Sequence, residues 1–302
     1  MNLSGVFPPV TTPFDGRGRV DAGALAGNLA RYEVHGAAGY LLLGSTGEAA
    51  YLEENEKLEV LRAARRAVPR GRILMAGVGL ESTEATIRLA ASAADCGADL
   101  ALVITPFYFR SRMTEGALRR HFEAVADASP IPILLYNVPK FTGLELPASV
   151  AETLAKHPNV AGLKDSSGDL AKLRELLARV PASFRVLCGS VSIFEPALAA
   201  GAVGGVLAAA DVLPEPLVAL HRAHVAGDLE RARTLQSAVA ESGRLIVDAA
   251  GVPGIKAAME VRGLHGGSPR PPLLPASDDE RGSIRREIAR LADAGILPEL
   301  RC

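Results

Sequence analysis

Leu100-Ala101-Leu102-Val103-Ile104 is an uninterrupted apolar run that ends at the polar residue Thr105. Side chains alternate between the two faces of a β-strand, so a strand over this run is apolar on both faces. Strands of that kind are typical of a parallel sheet covered by helices. Just before the run, residues 84–94 place Ile87, Ala90 and Ala94 at helical spacing. The two segments together predict a helix followed by a buried parallel strand.

Seven further apolar runs of similar length occur along the chain, at residues 5–10, 40–43, 73–76, 133–136, 160–163, 186–188 and 205–208. The segments between them are long enough for crossover helices; residues 53–68, for example, carry Leu58 and Leu61 among charged neighbours. Eight strand–helix units in about 225 residues match a (β/α)8 TIM barrel in number and length. A doubly wound sheet is the alternative, but Gly77-Val78-Gly79 lacks the third glycine of a dinucleotide loop, and no GxxxxGK[ST] motif occurs. The sequence therefore predicts an α/β fold, a TIM barrel.

The pattern changes after residue 228, where the strand-like runs stop. Residues 229–247, 254–261 and 280–294 have helical periodicity, and a Gly/Pro-rich link at 266–272 separates the last two. We therefore predict a TIM barrel catalytic domain over residues 1–228 and a C-terminal helical region, appended to the barrel, over residues 229–302.

Composition and charge favour a small-molecule partner. The chain has 302 residues, 48% of them hydrophobic, which is ample for a large core. Its 33 Lys and Arg residues nearly balance its 34 Asp and Glu residues, for a formal net charge of −1. A balanced chain lacks the basic surface that DNA, RNA or anionic lipid would require. We expect a small molecule or further copies of the same chain as partners, and neither nucleic acid nor a membrane.

The cysteines and histidines predict no disulfide framework and no metal site. Cys96, Cys188 and Cys302 are far apart and form no CxxC or Cys/His spacing, which fits a reducing cytoplasm. His221 and His224 are three residues apart on a predicted helix but lack the HExxH pattern, so a solvated helix face is the expectation. The N-terminus lacks the features of a signal peptide, and no apolar run reaches the length of a membrane span.

In a TIM barrel, catalytic residues lie at the carboxyl ends of the strands. After the second strand comes Gly44-Ser45-Thr46-Gly47-Glu48, whose hydroxyl and N–H groups can form an anion-binding nest. The alternative is a helix N-cap ahead of an acidic residue. Tyr108 and Tyr136 follow or end the fourth and fifth strands, where tyrosines most often serve in packing.

Lys164 follows the sixth apolar run and would place its amine in the mouth of the barrel. Burial there disfavours the ammonium and favours the neutral amine, which is a nucleophile. The alternative is a surface ion pair between Lys164 and Asp165. Neighbouring residues of a strand face opposite ways, which argues against that pair.

Six stretches of the chain, taken together, resemble the dihydrodipicolinate synthase/N-acetylneuraminate lyase family. They occur in order over essentially the whole chain: Gly5-Val6-Phe7-Pro8-Pro9-Val10-Thr11-Thr12-Pro13-Phe14, Gly44-Ser45-Thr46-Gly47-Glu48, Thr105-Pro106-Phe107-Tyr108, Tyr136-Asn137-Val138-Pro139, Gly162-Leu163-Lys164-Asp165 and Gly201-Ala202-Val203-Gly204-Gly205-Val206. Several lie at predicted strand ends, so chance agreement is a poor explanation.

The resemblance implies a class I lyase in which Lys164 forms a Schiff base with a 2-oxo acid, commonly pyruvate. Carbon–carbon bond formation or cleavage then proceeds through an enamine. The iminium is itself an electron sink, so the resemblance implies no metal and no other cofactor. Tyr136 matches the family's proton relay, a general acid–base role to which Thr46 and Tyr108 also belong.

The resemblance also implies substrate contacts and an assembly. Ser45 and Thr46, with the Gly47 amide, would hold the substrate carboxylate, and Val206 and Phe141 match further substrate-binding positions. The match at Tyr108 implies a tyrosine exchanged between subunits across a tight dimer interface. A homo-oligomer, a dimer of dimers, is therefore expected.

The choice of second substrate depends on Phe141. Members that make dihydrodipicolinate carry an arginine there to bind the aldehyde's carboxylate, and Phe141 cannot make that contact, although Lys140 or Arg110 could supply a cation. Residues 162–169, 81–86 and 254–256 are more similar to 4-hydroxy-2-oxoglutarate aldolase, which is the favoured function at this point. The alternatives are 4-hydroxy-tetrahydrodipicolinate synthase and a non-catalytic barrel that binds 2-oxo acids. The complete set of relay hydroxyls argues against the last.

Overall fold

Eight parallel strands form the centre of the molecule, as the apolar runs predict. The structure is a computed structural model that describes residues 1–298, so Cys302, with the end of the predicted C-terminal region, lies outside the described residues. Within that range the strands are β1 Gly5–Phe7, β2 Gly39–Leu42, β3 Ile73–Gly77, β4 Leu100–Ile104, β5 Ile133–Asn137, β6 Val160–Asp165, β7 Arg185–Cys188 and β8 Gly204–Val206.

Each strand pairs with its neighbours in the order of a TIM barrel. The hydrogen-bonded order is β1-β8-β7-β6-β5-β4-β3-β2, and every pair in it is parallel. The two ends of this series meet through backbone hydrogen bonds, from the Ala38 N–H to the Val6 carbonyl (2.9 Å) and from the Leu41 N–H to the Pro8 carbonyl (3.0 Å). These bonds close the barrel, and the predicted (β/α)8 architecture is confirmed.

Twelve α-helices within residues 1–298 cover the barrel and extend beyond it: α1 Ala22–Glu33, α2 Glu54–Ala67, α3 Thr83–Asp95, α4 Glu115–Ala128, α5 Pro139–Thr142, α6 Ala148–Leu154, α7 Leu170–Arg179, α8 Phe194–Ala200, α9 Pro214–Val225, α10 Leu229–Ser242, α11 Gly251–Val261 and α12 Asp278–Asp293. None of them has the length and apolar character that crossing a membrane needs. Many begin at an acidic or hydroxyl side chain; Asp169, for instance, accepts hydrogen bonds from the Ala171 and Lys172 N–H groups at the start of α7.

Two apolar layers result from the alternation of side chains along the strands. One fills the barrel and includes Phe7, Met75, Leu134, Leu187 and Val206. The other lies between the strands and the surrounding helices. The barrel interior is therefore a packed core rather than a pore, and catalytic residues of such barrels lie where the strands end.

The C-terminal region differs in detail from the predicted helices. The predicted helix 229–247 is α-helical only to Ser242 and continues as a π-helix over Gly243–Ala249. The change falls at a glycine, a poor helix former, that is packed so closely on Val191 that a Cβ would clash. Ile255, Met259 and Ile288 of this region belong to the same apolar cluster as the outer faces of the strands. The domain boundary at residue 228 stays a prediction.

Asp211 is a buried carboxyl group without a partner. It ends the 3₁₀ turn Ala208–Asp211 after β8, and neither side-chain oxygen has a hydrogen-bond partner within residues 1–298. Burial raises the pKa of Asp211 well above its usual value, and the nearby charge of Lys164 only partly opposes this. The carboxyl group is therefore protonated in the folded protein over a range of pH in which the unfolded chain ionises it.

We expect Asp211→Asn to change how stability depends on pH. Because the unfolded carboxyl loses its proton above about pH 4 while the folded one keeps it, wild-type unfolding free energy falls as pH rises through that range. Asparagine does not titrate. The melting temperature of the variant relative to wild type should therefore rise between about pH 5 and about pH 8.

The matched control is Asp95→Asn, which changes an exposed carboxylate at the end of α3. Thermal unfolding followed by circular dichroism across this pH range measures the effect. A difference between Asp211→Asn and wild type that does not vary with pH would contradict the argument.

Candidate active site

Lys164 and Tyr136 lie side by side at the carboxyl ends of β6 and β5. The register of the two strands pairs Tyr136 with Lys164, and the Lys164 Nζ is 4.2 Å from the centre of the Tyr136 ring. Lys164 is 5% exposed, and within residues 1–298 its amine has neither an ion pair nor a hydrogen bond. Lys164 is the fifth residue of β6 rather than the residue after it. The alternative of a surface ion pair with Asp165 is wrong, because both residues are buried.

A network of hydrogen bonds on Asp165 ties these strand ends together. The Asn137 Nδ2 donates to Asp165 Oδ1 (2.7 Å), and the Ser167 hydroxyl donates to Asp165 Oδ2 (2.7 Å). Asn137 Oδ1 in turn accepts the Leu146 N–H (2.9 Å). Burial raises the pKa of Asp165, and the donors from Ser167 and Asn137 oppose that rise. The network holds β5 and β6 in the register that sets Tyr136 beside Lys164.

The segment Gly44–Glu48 forms a tight turn after β2. The Gly47 N–H donates to the Gly44 carbonyl (3.0 Å), and the Thr12 hydroxyl donates to the Gly47 carbonyl (2.6 Å). The N–H and hydroxyl groups of Ser45 and Thr46 have no hydrogen-bond partner in the described part of the chain. Consecutive free N–H groups in a turn are typical of an anion-binding nest. The alternative of a helix N-cap is wrong, because the next α-helix starts at Glu54 with Glu53 as its cap.

The other predicted site residues lie in two different environments. Val206 is buried in β8, in the same interior cluster as Tyr136. Tyr108 is 75% exposed on the loop after β4, and Phe141 is 57% exposed in the short helix α5. The structure thus brings Lys164, Tyr136 and Val206 together inside the barrel and leaves Tyr108 and Phe141 on loops at its carboxyl end.

The loop that carries Tyr108 is fixed by Glu81, a residue whose structural role the sequence did not indicate. The Glu81 carboxylate accepts the backbone N–H groups of Phe107 (2.9 Å) and Tyr108 (2.8 Å). The loop therefore has a defined backbone although the Tyr108 ring is exposed. A glutamate in an exposed loop of a single sequence carries no signal of this role.

The prediction that His221 lies on a solvated helix face is wrong. This side chain is buried, and its Nε2 lies 3.3 Å from the Val203 carbonyl and 3.4 Å from the Ser4 hydroxyl. Burial lowers the pKa of His221, so the neutral ring is favoured. No group of three or more His, Cys, Asp or Glu side chains among residues 1–298 is arranged to hold a metal ion.

A buried lysine beside a tyrosine at the carboxyl end of a barrel is an arrangement suited to a class I, Schiff-base aldolase or lyase. The model of the dihydrodipicolinate synthetase family matches residues 2–291. The chain belongs to this family and is a lyase. Membership favours an enzyme over a non-catalytic binding barrel.

Three similar proteins illustrate the relationship. The 4-hydroxy-tetrahydrodipicolinate synthase of Exiguobacterium sp. is 38% identical over 277 residues, which are 91% of this chain and 93% of that protein. The chloride-inhibited dihydrodipicolinate synthase of Acinetobacter baumannii, solved with pyruvate, has a TM-score of 0.92 at 30% identity, covering 98% of this chain and 100% of that one. YagE, a prophage protein of E. coli K12 also solved with pyruvate, has a TM-score of 0.91 at 30% identity, covering 96% and 98%.

Proposed function

We propose that this chain is a pyruvate-dependent class I aldolase whose nucleophile is Lys164. The observation that carries the proposal is the Lys164 amine, buried 4.2 Å from the Tyr136 ring and without an ion-pair partner within residues 1–298. Attack on a carbonyl carbon requires an amine that is not engaged in an ion pair or a hydrogen bond. Two similar proteins solved with pyruvate support this choice of 2-oxo acid.

The reaction starts with attack of the Lys164 amine on the C2 carbonyl of pyruvate. The carbonyl oxygen leaves as water after proton transfer, and the resulting iminium withdraws electrons from C3. Loss of a C3 proton gives an enamine, whose carbon attacks the carbonyl carbon of an aldehyde; hydrolysis of the new imine frees the product and the lysine. The reverse sequence cleaves the same bond. The Tyr136 hydroxyl, which has no partner within residues 1–298, carries protons to and from these groups, with the Thr46 hydroxyl next in the relay.

The turn Gly44–Glu48 receives the carboxylate of the 2-oxo acid. The Gly47 amide already donates within the turn, so the donors that we assign to the carboxylate are the N–H and hydroxyl groups of Ser45 and Thr46. This modifies the role expected for Gly47, whose contribution is to close the turn. Val206 forms part of the apolar floor of the site.

For the second substrate we propose aspartate semialdehyde, which makes the reaction that of 4-hydroxy-tetrahydrodipicolinate synthase. Several relatives that are 34% to 38% identical over nearly the whole chain carry that name. Phe141 offers no charge to the aldehyde's carboxylate, and the Lys140 amine is engaged by the Asp248 carbonyl (3.1 Å). Arg110 is the available cation, because its guanidinium lies against Gly143 and forms no ion pair within residues 1–298.

Gly143 leaves room for the Arg110 guanidinium beside α5, because it has no side chain. Its φ of 64° is left-handed, and a Cβ on it would collide with the Arg110 guanidinium. The arginine thus reaches the segment that carries Phe141 from the neighbouring loop. Phe141 itself favours a second candidate function, 4-hydroxy-2-oxoglutarate aldolase, because an apolar side chain suits a partner aldehyde bound without an arginine at that position.

The assembly that we propose is a homodimer joined through the loop after β4, with two dimers forming a tetramer. Phe107, Tyr108 and Phe109 expose apolar rings next to one another, and the Glu81 carboxylate fixes the backbone beneath two of them. Contiguous exposed apolar surface on a fixed backbone is typical of a protein interface. This contact would place Tyr108 where a partner subunit can use it.

We expect Tyr108→Ser with Phe109→Ser to weaken the assembly, because it removes the apolar surface of the interface. Light scattering after size-exclusion chromatography should show an oligomer for wild type and a smaller species for the double variant. Val34→Ser, at an exposed apolar residue after α1, is the control. A wild-type chain that is monomeric at micromolar concentration would refute the proposed interface.

Sodium borohydride should trap pyruvate on Lys164, because reduction converts the imine to a stable secondary amine. Peptide mass spectrometry locates the adduct. With Tyr136→Phe, trapping should persist while turnover falls by about 10²-fold or more, the usual scale for loss of a positioned acid–base group. An adduct on Lys140 or Lys256, or no adduct at all, would refute the role of Lys164. Unchanged turnover in Tyr136→Phe would show that Tyr136 serves in packing and not in proton transfer.

Arg110→Met should lower kcat/KM for condensation with aspartate semialdehyde by about 10-fold to 100-fold, because a charge-assisted contact contributes about 1.5 to 3 kcal/mol. Phe141→Arg in the Arg110→Met background should restore part of the loss. Arg112→Met, two residues along the same turn, is the matched control. If wild type instead cleaves 4-hydroxy-2-oxoglutarate with the higher kcat/KM, the second candidate function is correct.

A further inference from the structure

Lys256, in α11 of the C-terminal region, reaches the turn assigned to the substrate carboxylate. Its Nζ lies 2.6 Å from Glu48 Oε1, and the two side chains are 1% and 0% exposed. The same Nζ donates to the carbonyls of Thr12 (2.9 Å) and Ser268 (3.2 Å). The buried ammonium therefore has an ion pair with Glu48 and hydrogen bonds to two backbone carbonyls.

Each carboxylate oxygen of Glu48 faces a different group. Its Oε1 faces Lys256, and its Oε2 accepts the backbone N–H of Arg270 (2.7 Å). The Arg270 guanidinium then binds both oxygens of Glu56 (2.6 and 2.7 Å) at the start of α2. Burial lowers the pKa of Lys256, and the charge of Glu48 opposes that change, so the carboxylate favours the charged form of the lysine.

The backbone at Glu48 needs this support. Its φ is 55°, a left-handed conformation that residues with a Cβ seldom adopt. Gly47, the residue before it, is held through its carbonyl by the Thr12 hydroxyl, and the Thr12 carbonyl is one of the acceptors of Lys256. Lys256 therefore acts on two successive residues of the turn, on Glu48 directly and on Gly47 through Thr12.

We propose that Lys256 and Glu48 are a positioning pair that fixes the turn Gly44–Glu48 for binding the carboxylate of the 2-oxo acid. The C-terminal region thereby sets the affinity for substrate without contacting it. Ser45 and Thr46, which carry the free N–H groups, directly precede the two residues that the pair holds. This inference rests on the proposed function of Lys164 and of the turn.

The test is Lys256→Met, which keeps the length of the side chain and removes its charge. We expect the pyruvate concentration that gives half-maximal borohydride trapping on Lys164 to rise by about 10-fold or more, because the donors to the carboxylate lose their geometry. Trapping of acetone, which has a carbonyl group but no carboxylate, should change little. A loss of stability alone would reduce trapping of both compounds in proportion to the folded fraction.

Lys172→Met is the matched control, because that lysine pairs with Glu145 on the surface. Glu48→Gln is the second variant, because glutamine is close to glutamate in size and keeps an acceptor for the Arg270 N–H. This variant should also raise the half-saturation concentration for pyruvate. Half-saturation within about two-fold of wild type in the folded variants overturns the positioning role and leaves Lys164 as the nucleophile. If wild type itself forms no adduct on Lys164, the proposed function is what fails.

Discussion

The pairing of β5 with β6 is the contact on which the site depends. One register places Tyr136 against Lys164 and, one residue further, Asn137 against Asp165. A shift of either strand by a single residue would turn its own two side chains to the opposite face. The hydrogen bonds that Asp165 accepts from Asn137 and Ser167 oppose such a shift, so the polar pair outside the barrel interior preserves the geometry of the reactive pair inside it.

The buried charges of the molecule are stabilised in different ways, and the differences follow their roles. Glu48 and Lys256 form an ion pair and hold a turn. Asp165 is satisfied by neutral donors and holds two strands. Asp211 has no partner within residues 1–298, and burial shifts its pKa upward so that it stays neutral. Among residues 1–298, Lys164 is the lysine that combines burial with a free amine beside an aromatic ring, an environment that suits a nucleophile.

Local pattern was sufficient to predict the elements of the barrel. All eight strands lie on the apolar runs, because a parallel strand buried on both faces leaves an unmistakable run of apolar residues. The ends of the strands were less well defined. The first run extends to Val10, but β1 ends at Phe7, because Pro8 and Pro9 have no N–H to donate to a neighbouring strand. The sixth continues through Lys164 and Asp165, which burial in the sheet accommodates despite their charge.

The sequence by itself determined the class of fold, the position of the lysine at the mouth of the barrel and the family of lyases to which its motifs belong, since each depends on residues that are close along the chain. Only the tertiary structure decided which groups are free to act. The Gly47 amide is used within its own turn, Arg110 approaches Gly143 from another loop, and Lys256 reaches Glu48 across more than 200 residues of chain. Such contacts join segments that are distant in sequence, and a single chain carries no local pattern that records them.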